Sequence, residues 1–278
     1  MRAISVFILF LGISMLTAAV PVKMVAPFQQ EIKDGDSIFL GTIGPGQTLE
    51  VQINPIVTSG GIYGSGGAYD FANITSRPAG WSNVNSKLYG GDLAPLQVKL
   101  TADKDAPAGE YRANITVFDE NNGEKLGNVT FTVRINVTWD VMDFNVTPSY
   151  VLSGPDQPAQ FRITVRNKGS ASDTYMVSAS GPKRWEFEKQ IYVPANSSRT
   201  IVYEISAQEE ESYNPLISVE SSSSANIRAQ KNVTLVVQSD LLGDYKSTNN
   251  GVLLFPVFEA PIYSLAGLIG AVLTSLGF

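Results

Sequence analysis

Between residues 20 and 250 apolar and polar side chains alternate in short runs, as in Thr48-Leu-Glu-Val-Gln-Ile53, Gln97-Val-Lys-Leu100 and Gln160-Phe-Arg-Ile-Thr-Val165. A period of two sends successive side chains to opposite faces, so each run predicts a strand with one buried face. Turn-forming clusters separate the runs: Gly44-Pro-Gly46, Asn122-Gly123, Asn167-Lys-Gly169 and Pro194-Ala-Asn196. Many short strands with frequent turns and little helix patterning predict an all-β sandwich. The ends depart from this pattern, since residues 3–16 and 262–278 carry no charge.

The alternating region is written twice. Gly44-Pro-Gly-Gln47 before Val51 and Ile53 matches Gly154-Pro-Asp-Gln157 before Phe161 and Ile163. Phe71 and Trp81 match Tyr175 and Trp185, and Pro78 and Pro182 each stand three residues before that Trp. Val98-Lys-Leu-Thr-Ala102 matches Tyr203-Glu-Ile-Ser-Ala207, Tyr111 matches Tyr213, and Asn128-Val-Thr matches Asn232-Val-Thr. The offsets stay between 102 and 110 residues. The middle therefore reads as two copies of one unit of about 100 residues, the size of an immunoglobulin-like sandwich. One Trp at the same place in each copy predicts a core residue, with a large apolar body and a single N–H to satisfy. The expected division is a signal peptide at 1–19, a first sandwich at 20–138, a second at 139–239, a polar linker at 240–251 and a membrane-anchor helix at 252–278.

The two ends assign an address. Met1-Arg2, the apolar run and Thr17-Ala-Ala19 form the three parts of a secretory signal peptide, with cleavage expected after Ala19. An uncleaved anchor is the alternative, for which the run is short. Residues 261–278 make 18 positions without charge, close to the roughly 20 that cross a bilayer as a helix. Pro261 suits the first helical turn. Gly267, Gly270, Ser264 and Ser275 leave small surfaces for another membrane helix. The expectation is a single-pass cell-membrane protein with the bulk of the chain extracytoplasmic and the C-terminus at the inner face. A buried core helix and a cleaved lipid-anchor signal after residues 247–251 are the alternatives.

Composition removes whole classes of chemistry. The 278 residues include no Cys and no His, which excludes disulfides, thiol nucleophiles, imidazole bases and the usual zinc ligands. Twenty basic side chains face 26 acidic ones, a net charge of −6, against the basic face a nucleic-acid binder needs. Paired carboxylates of glycosidase type are available by count, but nothing in the sequence places two in a common cleft. No enzyme activity, no cofactor and no metal site is expected.

Seven Asn-x-Ser/Thr sequons occur, at Asn73, Asn114, Asn128, Asn136, Asn145, Asn196 and Asn232, where chance composition gives about three. In Tyr111-Arg-Ala-Asn-Ile-Thr-Val117 the apolar positions share one face and leave Asn114 on the other. The same alternation turns Asn136 and Asn232 outward, as N-glycan acceptors require. The alternative is that Asn and Thr merely decorate exposed strand faces.

Residues 59–69 are Gly-rich but lack the Lys-Ser/Thr and following helix of a phosphate loop. They predict a mobile surface loop, about six residues longer than its counterpart in the second unit. Tyr63, Tyr69 and Tyr89 beside it could stack on sugar rings, making this the candidate ligand loop. Asp119-Glu-Asn-Asn-Gly-Glu124 faintly suggests a calcium loop but lacks the bidentate Glu, and with Asn122-Gly123 at its centre predicts a hairpin turn. Glu209-Glu-Glu211 reads as a solvated turn, and the run 221–224 as a polar connection between strands.

Phe161-Arg-Ile-Thr-Val-Arg-Asn-Lys-Gly169, Asp173-Thr-Tyr175, Gly181-Pro-Lys-Arg-Trp185 and Val193-Pro-Ala-Asn-Ser-Ser198 carry a resemblance. Through them the second unit resembles the NEW3 and CARDB-like immunoglobulin-fold modules of archaeal and bacterial surface proteins. The first unit carries the companion phrase Ala106-Pro-Ala-Gly-Glu-Tyr111. The resemblance implies seven-stranded sandwiches used as spacer, adhesion or accessory binding domains on a cell surface. The Gly-rich insertion departs from that pattern. The expected function is a membrane-anchored, exported, N-glycosylated surface protein with a structural or adhesive role, contacting the membrane and envelope proteins or glycans. A carbohydrate-binding accessory protein and a non-catalytic subunit of a membrane complex are the alternatives.

Overall fold

A computed structural model describes residues 19–119, 123–181 and 183–239. The linker, the anchor helix and the signal peptide up to residue 18 lie outside the described residues. Within the first unit the period-two runs become two facing sheets. One runs in the spatial order Gln30–Ile32, Val22–Ala26, Thr48–Asn54, Leu96–Thr101, Ser82–Val84. The other runs Ser37–Ile43, Val129–Val137, Gly109–Phe118, Phe71–Ser76. Ser37–Ile43 lies parallel to Val129–Val137, while the other pairs are antiparallel. Strand Val129–Val137 shows why the alternation was legible: every odd position from Val129 to Val137 is buried, and every even one is half-buried on the outer face.

The second unit repeats this plan. Its one sheet is Met142–Thr147, Ala159–Asn167, Ser198–Ile205. The facing layer consists of Phe187–Val193, Asp173–Ser180, Leu216–Ser221, Arg228–Asn232, continued by Tyr150–Ser153, Thr234–Val237, Ser212–Tyr213. Tyr150–Ser153 lies parallel to Thr234–Val237, as Ser37–Ile43 does to Val129–Val137. The long strand Gly109–Phe118 is split in its counterpart into Ser212–Tyr213 and Leu216–Ser221. Pro215 falls in the gap, and with no N–H it cannot continue the ladder. Its carbonyl is used nonetheless, accepting from the Val233 N–H at 3.1 Å.

The repeat extends to the corners. Tyr111 Oη donates to the Pro107 carbonyl at 2.9 Å and Tyr213 Oη to the Glu209 carbonyl at 3.4 Å, four residues upstream in each case. Such a tyrosine, closing the corner before a long strand, is a hallmark of immunoglobulin-like sandwiches. Each corner ring meets its unit's Trp: Trp81 and Tyr111 have centroids 5.2 Å apart, Trp185 and Tyr213 4.7 Å. Both Trp side chains are buried, as the repeat predicted. Among the described residues, helix is confined to Gly123–Leu126 and the 3-10 turn Lys183–Trp185, and no helix is long and apolar enough to cross a membrane.

Candidate functional site

The sequons map onto faces rather than cores. Asn73, Asn114 and Asn136 are half-buried on the outer face of the four-stranded sheet, and Asn128 is exposed at its end. Cross-strand register places Thr116 beside both Asn73 and Thr130, and Asn114 opposite Thr132. The Thr132 hydroxyl donates to Asn114 Oδ1 at 3.0 Å, and the Thr116 and Thr130 hydroxyls pair at 2.9 Å. Four sequon asparagines thus lie on one Asn/Thr-lined face. Asn145, Asn196 and Asn232 are exposed on the second sandwich. Asn145 Oδ1 accepts from Lys231 Nζ at 3.1 Å, and Asn196 sits in a turn with φ of 51°.

The Gly-rich loop packs against a neighbouring turn. The Ile62 N–H donates to the Lys125 carbonyl at 2.9 Å, and a Cβ on Gly61 would lie 2.4 Å from that same oxygen. The loop is seated on the helical turn Gly123–Leu126, which lies in the connection of the hairpin formed by Gly109–Phe118 and Val129–Val137. Tyr69 corrects the sequence reading outright. It is fully buried, and its hydroxyl donates to the Val20 carbonyl at 2.8 Å and the Leu126 carbonyl at 3.3 Å. A ring spent on closing the end of the first core has no face for a sugar. Tyr89 is half-buried against that core, and Tyr63 alone of the three stands out, 76% exposed. The loop does not bring the three together as one platform.

The least anticipated site is the joint between the sandwiches. The chain leaves the first sandwich at Thr138, whose N–H donates to the Ile43 carbonyl at 2.9 Å. The turn that follows Ile43, residues 44–47, is pressed onto the second sandwich. Gln47 is fully buried; its Oε1 accepts from the Gly44 N–H at 2.8 Å and its Nε2 donates to Asp173 at 2.7 Å. The Asp173 carboxylate, only 4% exposed, also accepts from Ser221 Oγ at 2.7 Å, Ser223 Oγ at 2.8 Å and the Thr174 N–H at 2.8 Å. Around it, the Ser170 N–H donates to the Thr42 carbonyl at 2.7 Å, and Ser224 Oγ to the Lys104 carbonyl at 2.9 Å.

Two glycines make that approach possible. Gly41 and Gly46 have φ of +113° and +70°, and a Cβ on either would stand 2.0 Å from Ser170 Oγ or the Ser223 carbonyl. Ala171 of the second unit packs into the first core. Lys168 clamps the connection from outside, 2.5 Å from Asp140 and 3.0 Å from Asp143, and hydrogen bonding to these raises its pKa. The run 221–224, read from sequence as a mere polar connection, supplies half of the joint. The signal that was present is the repeated Gln: Gln157 Oε1 caps Gly154 at 3.3 Å just as Gln47 caps Gly44.

Buried titratable groups serve structure. Burial raises the hydroxyls of Tyr69 and Tyr203 to about 12, and that of Tyr175 further, where the Asp173 charge adds. All three are neutral near pH 7. The Tyr203 hydroxyl donates to the Trp185 carbonyl at 2.7 Å, whereas Tyr175 Oη is buried with no hydrogen-bond partner. An unsatisfied buried hydroxyl costs about 1–3 kcal/mol. Tyr175→Phe should therefore stabilise the protein by about 1 kcal/mol, read as a higher denaturant midpoint at unchanged slope. A lower midpoint would show that the hydroxyl is satisfied in solution. Among the described residues no three acidic side chains converge as a metal site.

No protein-family model matches the chain, and no curated protein matches it. Similar solved structures include the CARDB domain of a Pyrococcus furiosus protein in complex with di-metal ions, at 15% identity and TM-score 0.27 over 36% of this chain and 94% of that one. The fibronectin(III)-like modules of Clostridium thermocellum CbhA are similar at 14% identity and TM-score 0.25, over 78% of this chain and 94% of that one. The D00-D0 domain of intimin is similar at 12% identity and TM-score 0.26, over 77% and 99%. The immunoglobulin-like assignment rests on the sheet order, the parallel edge strands and the paired tyrosine corners of the chain itself.

Proposed function

We propose that this chain is an exported, membrane-anchored, N-glycosylated surface protein whose two sandwiches form a stiff spacer with an adhesive role, and that it performs no catalysis. The observation that carries this reading is the joint. Gln47 and Asp173, both buried and bonded to each other across the two units, restrain their relative movement, which suits a spacer of set length rather than a flexible tether. Placement of all seven sequon asparagines outside the cores supports glycosylation, since a glycan cannot be carried by a buried side chain. The uncharged stretches at 3–16 and 262–278 support export and anchoring.

The test is made on protein recovered from its native membranes. Full-length chain should stay with membranes through an alkaline carbonate wash, and a chain ended after Ser239 should be released. The intact mass of the full-length chain should exceed that of residues 20–278 and fall on chemical deglycosylation, with a step lost for each occupied Asn→Gln change. Release of the full-length chain sinks the anchoring, and a bare sequence mass sinks the glycosylation.

A further inference from the structure

We propose that the open side of the second sandwich binds an acidic polysaccharide. Strands Phe187–Val193 and Ser198–Ile205 are edge strands of opposite sheets, and between them runs a groove of about 340 Å³. Its polar lining is Lys189, Gln190, Tyr192, Arg199 and Thr200, with Val202 beside them. No carboxylate lines it, although acidic residues outnumber basic ones in the chain. A concave strip of one sign on a protein of the opposite net charge focuses anions from solution. The larger cleft beside the joint, about 810 Å³, mixes Lys104 and Arg228 with Asp105 and Glu220 and has no such polarity.

Two further features point to an acidic sugar polymer. Tyr192 is 53% exposed and Val202 52%, so an aromatic side chain stands open to solvent in a groove that also holds Lys189 and Arg199. The Arg199 guanidinium donates to the Tyr192 carbonyl at 3.1 Å, which fixes it beside that ring and leaves its other N–H groups for a carboxylate or sulfate. The positive strip continues onto the adjoining sheet, where Arg162 lies opposite Val202 and Arg166 opposite Ser198. These arginines share one face about 13 Å apart, and neither has an ion-pair partner among the described residues. Carboxylates stand nearby as well: Glu204, held by Gln160 at 2.7 Å, Asp143, opposite Arg166 and paired with Lys168 at 3.0 Å, and the exposed Glu188 on the strand of Tyr192, so the one-signed lining belongs to the groove itself. An eight-residue strand spans about 26 Å, room for several sugar units rather than one. Cations on edge strands also deter strand pairing, but that role predicts no ligand and leaves the bared Tyr192 without use.

The experiment titrates the full-length protein in detergent with heparin oligosaccharide and polygalacturonate, and separately with neutral dextran and poly-L-glutamate. Both acidic polysaccharides should bind and dextran should not. Tyr192→Ala, which leaves the charge intact, should weaken binding about tenfold, as should Lys189→Gln with Arg199→Gln; the surface location leaves the melting temperature unchanged. Three results would each overturn the proposal: no binding of either polysaccharide, poly-L-glutamate bound as tightly with Tyr192→Ala indifferent, or full affinity in the Lys189/Arg199 variant. None of them bears on anchoring or glycosylation, which the membrane wash and mass measurements decide separately.

Discussion

Asp173→Ala is expected to uncouple the two sandwiches and to destabilise the second by about 3 kcal/mol. The carboxylate gathers four donors: Gln47 Nε2, the hydroxyls of Ser221 and Ser223, and the Thr174 N–H, all at 2.7 or 2.8 Å. Removing it strands Gln47, which is fully buried, and Ser221, which is 4% exposed. Each buried donor left unpaired costs about 1–3 kcal/mol, and water entering the opened joint recovers part of that. Asp173→Asn discriminates the cause. The two serine hydroxyls can rotate to donate or accept, but Gln47 cannot. Flipping its amide would take Oε1 away from the Gly44 N–H, which it holds at 2.8 Å. The amide variant should therefore lose less stability than Ala yet still loosen the joint. Calorimetry should show the second sandwich of Asp173→Ala melting at a lower temperature than in the parent, and small-angle scattering should show a broadened distribution of lengths. A parent-like thermogram with unchanged scattering would mean that the remaining contacts, Ser170 with Thr42 and Ser224 with Lys104, hold the joint alone.

How much of this was legible in the sequence depends on the range of the interaction. Strand faces follow from a local rule, so Ala113, Ile115 and Val117 could be assigned to the core from alternation alone, and the structure buries all three. The repeat was legible because evolution of a duplicated unit leaves both copies in view, and it carried Trp81, Trp185, Tyr111 and Tyr213 with it. The joint was not legible. Gln47 and Asp173 are 126 residues apart in the chain, and nothing local distinguishes a Gln that caps its own turn from one that also reaches a second domain. Tyr69 failed for the opposite reason. Its Gly-rich neighbours argue for exposure by composition, whereas contacts with Val20 and Leu126, distant in sequence, make it the closure of the first core. Edge position escaped too: Tyr192 alternates outward like any strand residue, and only the sheet order shows that no strand covers its side.

Trp185→Ala should cost about 4 kcal/mol, the range for emptying a large aromatic site, and should confine that loss to the second sandwich. The side chain is 8% exposed, its Nε1–H donates to the Ser206 carbonyl at 2.9 Å, and its ring meets Tyr213 at 4.7 Å. Its own carbonyl accepts from the Tyr203 hydroxyl at 2.7 Å. Truncation thus opens a cavity at the corner where Tyr213, Tyr203 and the 3-10 turn Lys183–Trp185 meet. Trp185→Phe keeps most of the apolar body and loses mainly the bond to Ser206, so about 1–2 kcal/mol is expected for it. Fluorescence allows the locality to be read directly, because the chain has three Trp. Trp139 is 53% exposed and emits as a solvated indole in either state, while Trp81, 4% exposed, reports the first sandwich. In Trp185→Ala the remaining signal should therefore unfold near the parent midpoint, while circular dichroism reports an earlier loss of strand. Losing both signals together at the lower midpoint would show that the first sandwich does not stand without the second. In that event the joint, rather than either core, would set the stability of the whole.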